Sequence, residues 1–305
     1  MHIRAGIIKR SSFYKHSIKG AFHIMMPPFM HALALKGGKN MAFNMKINIC
    51  IIGCGGTGGN LTARLARFLS GYRDTLTINT AIVDGDTVEY KNIGRQPFDD
   101  GDLGENKAVI LAENIESSFH VNLNSYPDYI LKTEDLERIF QSLNREGDYI
   151  SSGRNDINIL VSCVDNHAAR KVCHDWFEKA SFLGTTFFID PANEEVSGEV
   201  VIAKKDAHAI TSPDRFWYYP DIINDLGRPV NEMSCEELNN AAPQHFATNC
   251  YAADICFAFI AGIITCGDNA RLIPGGIAYF HAFKMFQRFY VCEYNEEEER
   301  YVREA

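Results

Sequence analysis

The sequence predicts an α/β protein with a mostly parallel sheet and antiparallel edge strands. Short β-branched runs alternate with amphipathic helical patterns from residue 47 to residue 203, which is typical of parallel strands joined by helices. A glycine-rich turn follows the first run and precedes the first helix, the usual start of a doubly wound sheet. Near the end of the chain, residues 276–291 favour two antiparallel strands.

The individual elements follow from residue periodicity. Residues 47–52 read Ile-Asn-Ile-Cys-Ile-Ile, which is typical of a buried parallel strand. From Asn60 onward, apolar residues recur at helical spacing. An apolar run at 252–264 contains Asp254 and is too short to cross a membrane, so we predict a buried helix there. The remaining predicted elements are strands at 76–83, 157–161, 185–190 and 197–203, and helices at 104–118, 133–143 (with Thr133 as N-cap) and 167–180.

The first turn reads Gly53-Cys54-Gly55-Gly56-Thr57-Gly58. Gly53 permits a tight turn, and the next two glycines let the backbone approach a ligand. N–H groups at the start of the following helix would then face phosphate oxygens. The pattern favours a nucleotide site, and a close-packed turn without a ligand is the alternative.

Asp84 stands at the carboxyl end of the second predicted strand. Acids that bind ribose lie at this position in doubly wound sheets. The segment Asp84-Gly85-Asp86 would also suit a simple turn. Its place at a strand end, about 30 residues after the first glycine, favours the ribose-binding role.

The residues after Asp84 match a longer series of motifs. Asp84–Val88 reads D-x-D-x-V, Asn92–Gln96 reads N-x-x-R-Q, Asp102–Lys107 reads D-x-G-x-x-K, and Cys163–Asn166 reads C-x-D-N. This series resembles the ThiF/MoeB family of ubiquitin-activating-type adenylyltransferases. The sequence is similar in particular to the ThiF-related proteins of PRTRC plasmid cassettes, roughly over residues 47–290.

The resemblance implies a Rossmann-like fold and a site for ATP and Mg²⁺. Gly55 and Gly56 would bind phosphate, and Asp84 would bind the ribose hydroxyls. The implied cofactor-binding residues are Gly53, Gly55, Gly56, Gly58, Asp84, Asp86, Asn92 and Gln96, and the implied catalytic residues are Arg95, Lys107, Asp165 and Cys235. Asn92, Arg95 and Lys107 would grip the triphosphate, while Asp165 would hold Mg²⁺ directly or through water.

These residue types suit the implied chemistry. A carboxylate attacks the α-phosphorus of ATP, and pyrophosphate leaves. Because two anions are brought together, cations and a metal ion must offset their repulsion. Arg suits bidentate phosphate contacts, Lys acts as a mobile point charge, and Asp suits Mg²⁺. The alternative for each residue is a solvated surface charge or a helix cap.

The resemblance also implies a partner. The acceptor would be the C-terminus of a ubiquitin-like or sulfur-carrier-like protein, and the enzyme would be a homodimer. A small-molecule or tRNA carboxylate stays open as acceptor. A nucleotide-binding interaction module without turnover is a third possibility, because the arginine-bearing N-terminal helix of the family has no match before residue 47; Arg64 or Arg67 could supply that cation. An NAD-dependent oxidoreductase fits the glycines and Asp84 but leaves the later cations unexplained.

Charge and cysteine content bear on the type of ligand, the cellular location and the presence of a zinc site. The net charge of −9 argues against nucleic acid as the main ligand. Nine cysteines without a secretory segment predict reduced thiols in a cytoplasmic protein, with no membrane span. Many ThiF/MoeB relatives hold zinc with two C-x-x-C pairs. This chain has none, so no zinc site is predicted.

Cys235 follows Asn231-Glu-Met-Ser and precedes a helical pattern. A helix N-terminus lowers the pKa of a thiol. Ubiquitin-activating enzymes form a thioester on a cysteine of a crossover segment, and Cys235 lies where such a segment would be. A small buried hydrophobe is the alternative, and this is the role predicted for Cys54 and Cys163.

The chain divides into three predicted parts. Residues 1–46 carry eight Lys or Arg and no acid, and are expected to be a disordered or non-native extension ahead of a true start at Met41 or Met45. Residues 47–292 form the ThiF-like domain, with a crossover or substrate insertion near 206–243. Residues 293–305 form an acidic tail, predicted to be a solvated helix end or disordered.

Overall fold

The computed structural model describes residues 45–72, 76–146, 149–150, 156–224, 245–295, 298 and 300–303. All of them belong to a unit that extends from Phe43 to Ala305. The predicted extension therefore lies almost wholly outside the described residues. Its last residue, Lys46, is buried and begins the first strand, so the domain starts slightly earlier than the sequence predicts.

Twelve strands and six helices occur in the described residues. The strands are β1 Lys46–Ile52, β2 Thr77–Val83, β3 Asn124–Tyr126, β4 Arg145–Glu146, β5 Tyr149–Ile150, β6 Ile157–Ser162, β7 Thr185–Asn193, β8 Ser197–Asp206, β9 Ala209–Ser212, β10 Gly276–His281, β11 Phe286–Asn295 and β12 Arg300–Arg303. The helices are α1 Gly56–Leu69, α2 Lys107–Phe119, α3 Thr133–Leu143, α4 His167–Lys179, α5 Arg215–Tyr218 and α6 Phe246–Cys266. Short 3₁₀ turns occur at Tyr90–Asn92, Asp100–Asp102, Pro220–Asn224 and Gly267–Leu272.

Ten of these strands form one mixed sheet, in the order β12-β11-β10-β8-β7-β6-β1-β2-β3, with β9 beside β8. In this order, neighbouring strands from β3 through β2, β1 and β6 to β7 pair in parallel. Those from β7 through β8, β10 and β11 to β12 pair antiparallel. The predicted α/β fold with antiparallel edge strands is thus confirmed. Because the parallel strands run in one direction, β1, β2, β6 and β7 all end at the same edge of the sheet, and their terminal residues meet there.

Helices cover both faces of the parallel strands. Successive strand residues point to opposite faces, so a strand covered on both sides reads as a continuous apolar run. On one face, α3 and α4 pack against the sheet, and the rings of Phe140 and Trp176 stack 4.4 Å apart. On the other, α1 and α6 pack together, and Phe259 of α6 meets Phe187 of β7.

A ladder of buried amides crosses the amino-terminal half of the sheet. Asn48 Nδ2 donates to Asn144 Oδ1 at 2.9 Å and to Asn158 Oδ1 at 3.0 Å, while Asn79 Nδ2 donates to Asn48 Oδ1 at 3.1 Å. Asn48, Asn144 and Asn158 are fully buried. Since buried amides need hydrogen-bond partners, this ladder selects the register of β1, β2 and β6 and docks the end of α3.

Helix α3 begins differently from the prediction. The sequence predicts Thr133 as its N-cap, but Lys132 occupies that position and Thr133 is the first helical residue. The Asp135 carboxylate accepts hydrogen bonds from the N–H groups of Leu131 and Lys132, both at 3.2 Å. An acid in the first turn therefore closes the helix start instead of a threonine hydroxyl.

The end of the chain is also more ordered than predicted. Residues 293–295 belong to β11, and β12 pairs with them antiparallel, so the expectation of a helix end or disordered tail is wrong for these segments. The ring of Tyr301 contacts that of Tyr294, and the Arg303 guanidinium lies 4.1 Å from the ring centroid of Tyr290. These aromatic contacts outweigh the acidic composition that suggested a solvated tail.

Helix α6 is longer than the apolar run from which it was predicted. Among the described residues it is the one helix long and apolar enough to cross a membrane. It packs against α1, β7 and β8, as the core helix of a sheet protein does. The cytoplasmic location of the protein stays a prediction.

Replacing Asn48 should destabilise the protein. Asn48→Ala leaves buried amides of the ladder without partners, and we expect a loss of about 2 kcal/mol in the free energy of unfolding, or more. Urea denaturation measures it. The control is Asn122→Ala, since Asn122 is exposed. Equal stability of the two variants would contradict a structural role for the ladder.

Candidate active site

A cavity of about 640 Å³ opens where the parallel strands end. This volume lies within the range of small-molecule sites in proteins. Its wall contains most of the residues implied by the family resemblance: Gly53, Gly55, Gly56, Asp84, Asp86, Asn92, Arg95, Gln96, Lys107 and Asp165. The fold therefore brings residues up to 112 positions apart to one cavity, as doubly wound sheets do at their carboxyl edge.

The glycine turn is packed too tightly for side chains. Gly53 has φ +88°, and a Cβ there would lie 2.5 Å from the carbonyl oxygen of Cys163. A Cβ on Gly58 would lie 1.8 Å from the carbonyl oxygen of Gly53. Gly58 is not part of the cavity wall. It packs the helix against the back of the turn, which differs from the predicted contact with a cofactor.

Helix α1 starts at the cavity. Its first residue is Gly56, and its N-cap, Gly55, supplies no side chain to accept hydrogen bonds from the first turn. The first turn also contains no acid. Such an uncapped helix start, with the positive end of the helix dipole, favours an anion such as phosphate.

Asp84 holds the turn against the end of β2. One carboxylate oxygen accepts a hydrogen bond from the Cys54 N–H at 2.6 Å, and the other accepts one from the Asp86 N–H at 2.8 Å. Burial raises the pKa of Asp84, although nearby Lys107 and these two N–H groups oppose the shift. Asp84 is thus both a structural tie and part of the cavity wall.

Two side chains bind the Asp86 carboxylate. Lys107 Nζ lies 2.9 Å from Asp86 Oδ2, and the Tyr129 hydroxyl donates to Asp86 Oδ1 at 2.5 Å. Burial would raise the pKa of Asp86, but Lys107 and Tyr129 together hold it below its usual value. The Lys107 side chain is only 9% exposed. The predicted phosphate-binding cation is therefore ion-paired with a carboxylate in this structure.

The segment after Asp86 presents further polar groups to the cavity. Asn92 is buried, and its Oδ1 accepts a hydrogen bond from the Glu89 N–H at 2.8 Å. Arg95 is held by one hydrogen bond from its Nε to the carbonyl oxygen of Lys91, at 3.0 Å. Gln96 Oε1 is buried and has no hydrogen-bond partner among the described residues. Such an orphan acceptor fits a site whose ligand supplies donors.

Asp165 lies in the loop between β6 and α4 and is exposed at the cavity. The next residue, Asn166, caps α4 by accepting a hydrogen bond from the Ala169 N–H at 2.8 Å. Arg170 donates to the carbonyl oxygen of Val164 at 2.8 Å. The backbone of the loop is therefore tied on both sides of Asp165. In the described part of the chain, no three His, Cys, Asp or Glu residues cluster as a metal site.

Several cavity residues escaped the sequence prediction. Thr57, Asn193 and Asn249 form a hydrogen-bonded group on its wall. Asn193 ends β7, so the strand-end rule that found Asp84 could have found it. Tyr129 and Asn249 follow no local pattern, because each depends on packing against a distant segment.

The remaining predictions concern Arg64, Arg67 and three cysteines. Arg64 pairs with Asp254 of α6 at 2.5 Å, and neither Arg64 nor Arg67 lines the cavity of its own chain. Cys235 falls within 225–244, outside the described residues. Burial raises the pKa of the Cys54 and Cys163 thiols. Cys54 is fully buried, whereas Cys163 is half-buried and lines the cavity, so its packing role stays a prediction.

Two glycine substitutions should have opposite effects. Gly53→Ala places a methyl group against the Cys163 carbonyl at an unfavourable φ, and we expect a loss of about 2 kcal/mol in the free energy of unfolding. Gly262→Ala, in α6 with no atom within 4 Å of the new Cβ, should raise that free energy by up to about 1 kcal/mol. Chemical denaturation measures both; a stable Gly53→Ala protein would exclude the proposed tight packing.

Solved structures resemble this fold at low sequence identity. PaaA matches with a TM-score of 0.51 and 18% identity, over 79% of this chain and 62% of PaaA. E. coli MccB with ATP matches with a TM-score of 0.52 and 16% identity, over 81% of this chain and 64% of MccB. MccB with AMPCPP and MccA gives a TM-score of 0.51 and 14% identity over the same shares. The chain spans less than two thirds of these proteins, and the likeness establishes the fold alone.

No curated protein sequence matches the chain. The profile of the ThiF family, in contrast, matches residues 33–266. That span is more than half of the chain, and it includes the glycine turn, Asp84 and Asp165. The chain therefore belongs to the ThiF family.

Proposed function

We propose that this protein uses ATP to adenylylate a carboxylate and releases pyrophosphate. The observation that carries the proposal is the convergence of Arg95, Lys107 and Asp165 on the cavity into which α1 opens uncapped. Two cations and a carboxylate suited to Mg²⁺ beside an anion-binding turn are what phosphoryl chemistry at an α-phosphorus requires. Membership of the ThiF family supports the same reaction.

The residues present fit a nucleotide. The uncapped turn at Gly55 suits a phosphate, and Asp84 offers carboxylate oxygens at the neighbouring strand end. Gln96 Oε1 is an acceptor for which no described residue supplies a donor. In our proposal Asn92 and Arg95 bind the outer phosphates, and Lys107 joins them by leaving Asp86. The ion pair with Asp86 keeps the Lys107 ammonium oriented along the cavity wall until then.

The metal part of the proposal concerns Asp165. Mg²⁺ in nucleotide sites takes one or two carboxylates and completes its shell with phosphate oxygens and water. Asp165 offers one exposed carboxylate, in a loop whose backbone is tied by the Asn166 cap and by Arg170, and this suits that arrangement. When bound, ATP supplies the reactive phosphorus and Mg²⁺ reduces the charge on its phosphates.

The acceptor is proposed to be a protein or peptide carboxylate, most specifically the C-terminus of a ubiquitin-like or sulfur-carrier-like protein. MccB, which shares the fold, has been solved with MccA. The similarity of the motifs to PRTRC ThiF-related proteins motivates the same class of partner. Thioester formation on Cys235, a homodimeric assembly and the absence of zinc remain part of this proposal. A small-molecule or tRNA carboxylate is the alternative acceptor.

A nucleotide-binding module without turnover is the second candidate function. The pairing of Lys107 with Asp86 favours it, because a cation already neutralised stabilises a transition state less than an unpaired one. Measured pyrophosphate exchange distinguishes the two candidates, since a binding module exchanges none.

Lys107→Ala should lower ATP–pyrophosphate exchange at least about 100-fold, because the cation that stabilises the leaving phosphates is lost. Exchange of ³²P-pyrophosphate into ATP is measured with a panel of ubiquitin-like proteins, amino acids and tRNA as acceptors. Lys179→Ala, which removes an exposed lysine at the end of α4, is the control. Normal exchange by Lys107→Ala would remove its assigned role.

Removal of Mg²⁺ should stop the same exchange. Chelation by EDTA is expected to abolish it, and Asp165→Asn is expected to raise the Mg²⁺ concentration for half-maximal rate by about tenfold. Asp221→Asn, which changes an exposed acid outside the cavity wall, should behave as the wild type. An unchanged Mg²⁺ requirement in Asp165→Asn would contradict the assignment.

A further inference from the structure

A buried amide from a distant helix reaches the glycine turn. Asn249 lies in the first turns of α6, and it is only 2% exposed. Its side chain nevertheless forms part of the cavity wall, beside Gly56 and Thr57. Asparagine inside an otherwise apolar core helix is costly unless its amide has partners, so both ends of this amide need an explanation.

The oxygen of this amide is fully engaged. Asn249 Oδ1 accepts a hydrogen bond from the Thr57 hydroxyl at 3.3 Å and another from Asn193 Nδ2 at 3.0 Å. Asn193 Nδ2 also donates to the Thr57 hydroxyl at 2.9 Å. The reversed amide would set the Asn249 nitrogen against the Asn193 nitrogen, donor against donor. With the Asn193 amide in its present orientation, the network therefore places Asn249 Oδ1 on Thr57 and Asn193, and Nδ2 toward the turn.

The nitrogen of the amide faces the turn itself. A Cβ built on Gly56 would lie 2.3 Å from Asn249 Nδ2 and 2.9 Å from its Cγ, so the amide rests directly against the first residue of α1. Within the described part of the chain, Nδ2 donates no hydrogen bond, whereas Oδ1 accepts two. A donor that no described residue accepts thus lies beside an uncapped helix start, where a ligand could accept from it.

We propose that Asn249 Nδ2 donates a hydrogen bond to a nucleotide phosphate bound at Gly56, and that this phosphate is the α-phosphate. The inference rests on the proposed nucleotide site. Asp84 ends β2, the strand next to β1, so the first phosphate beyond a ribose at Asp84 falls at the turn that follows β1. The Asn249 donor would then act with the N–H groups of α1 on the same oxygens.

A role at the phosphate also explains why the residue is neutral. Lys107, the cation assigned to the phosphates, is already paired with Asp86. An amide adds a directed donor at the turn without placing a buried charge beside Thr57 and Asn193, whose own groups hold it in place. In our proposal Asn249 is thus a phosphate-binding residue supplied by α6, a helix distant in sequence from the glycine turn.

The test is isothermal titration of the full chain with AMP and with adenosine. Asn249→Asp keeps an oxygen for Thr57 and Asn193 but replaces the donor with a carboxylate oxygen. We expect AMP affinity to fall more than about tenfold and adenosine affinity to stay within about twofold. Asn249→Ala, which removes the donor without adding charge, should weaken AMP about tenfold. Asn122→Ala is the control, and thermal denaturation verifies that each variant is folded.

The outcomes separate the inference from the proposed function. AMP affinity within about twofold of wild type in a folded Asn249→Asp variant would overturn the assignment. So would an equal loss for AMP and adenosine, because the effect would then not lie at the phosphate. A wild-type protein that binds neither AMP nor ATP would overturn the nucleotide site and this inference together, whereas wild-type binding with unaffected variants removes the inference alone.

Discussion

The site depends on the close contact between the turn after β1 and the loop after β6. With 2.5 Å between the Cys163 carbonyl oxygen and a Cβ placed on Gly53, no side chain fits between them. Because the two backbones can touch, α1 begins immediately beside the loop that carries Asp165, and the helix start and the carboxylate share one cavity. A larger residue would separate the anion-binding turn from the acid assigned to the metal.

A group of buried acidic and basic side chains forms ion pairs beside β7. Asp190 accepts from Arg170 Nε at 3.0 Å and from Arg215 Nε at 2.6 Å, and Arg215 also pairs with Glu199. The buried charges of this group cancel, which limits the cost of removing them from water. Arg170 uses a further N–H on the Val164 carbonyl oxygen, so the balanced group fixes the backbone beside Asp165. Arg170 therefore links this group of ion pairs to the cavity wall.

The same group links the cavity to the segment leading into 225–244. The Tyr219 hydroxyl donates to Glu199 at 2.5 Å, and Arg215 lies in α5 just before it. The route from Asp190 to Tyr219 thus joins β7 to a described part of the insertion predicted near 206–243.

Local sequence patterns were sufficient for the glycine turn, the buried strands and the residues at strand ends. Tight turns and two-residue alternation act over a few positions, so the sequence by itself locates Gly53 and Asp84. The resemblance to the family motif C-x-D-N adds Asp165. The sequence does not identify their partners or those of the other buried polar groups. The amide of Asn249 meets Thr57 across 192 residues, Asn48 meets Asn158 across 110, and Tyr129 meets Asp86 across 43. The packing of helices and strands decides which polar groups form hydrogen bonds with each other. Local sequence patterns do not predict this packing, because it joins residues that are far apart in the chain.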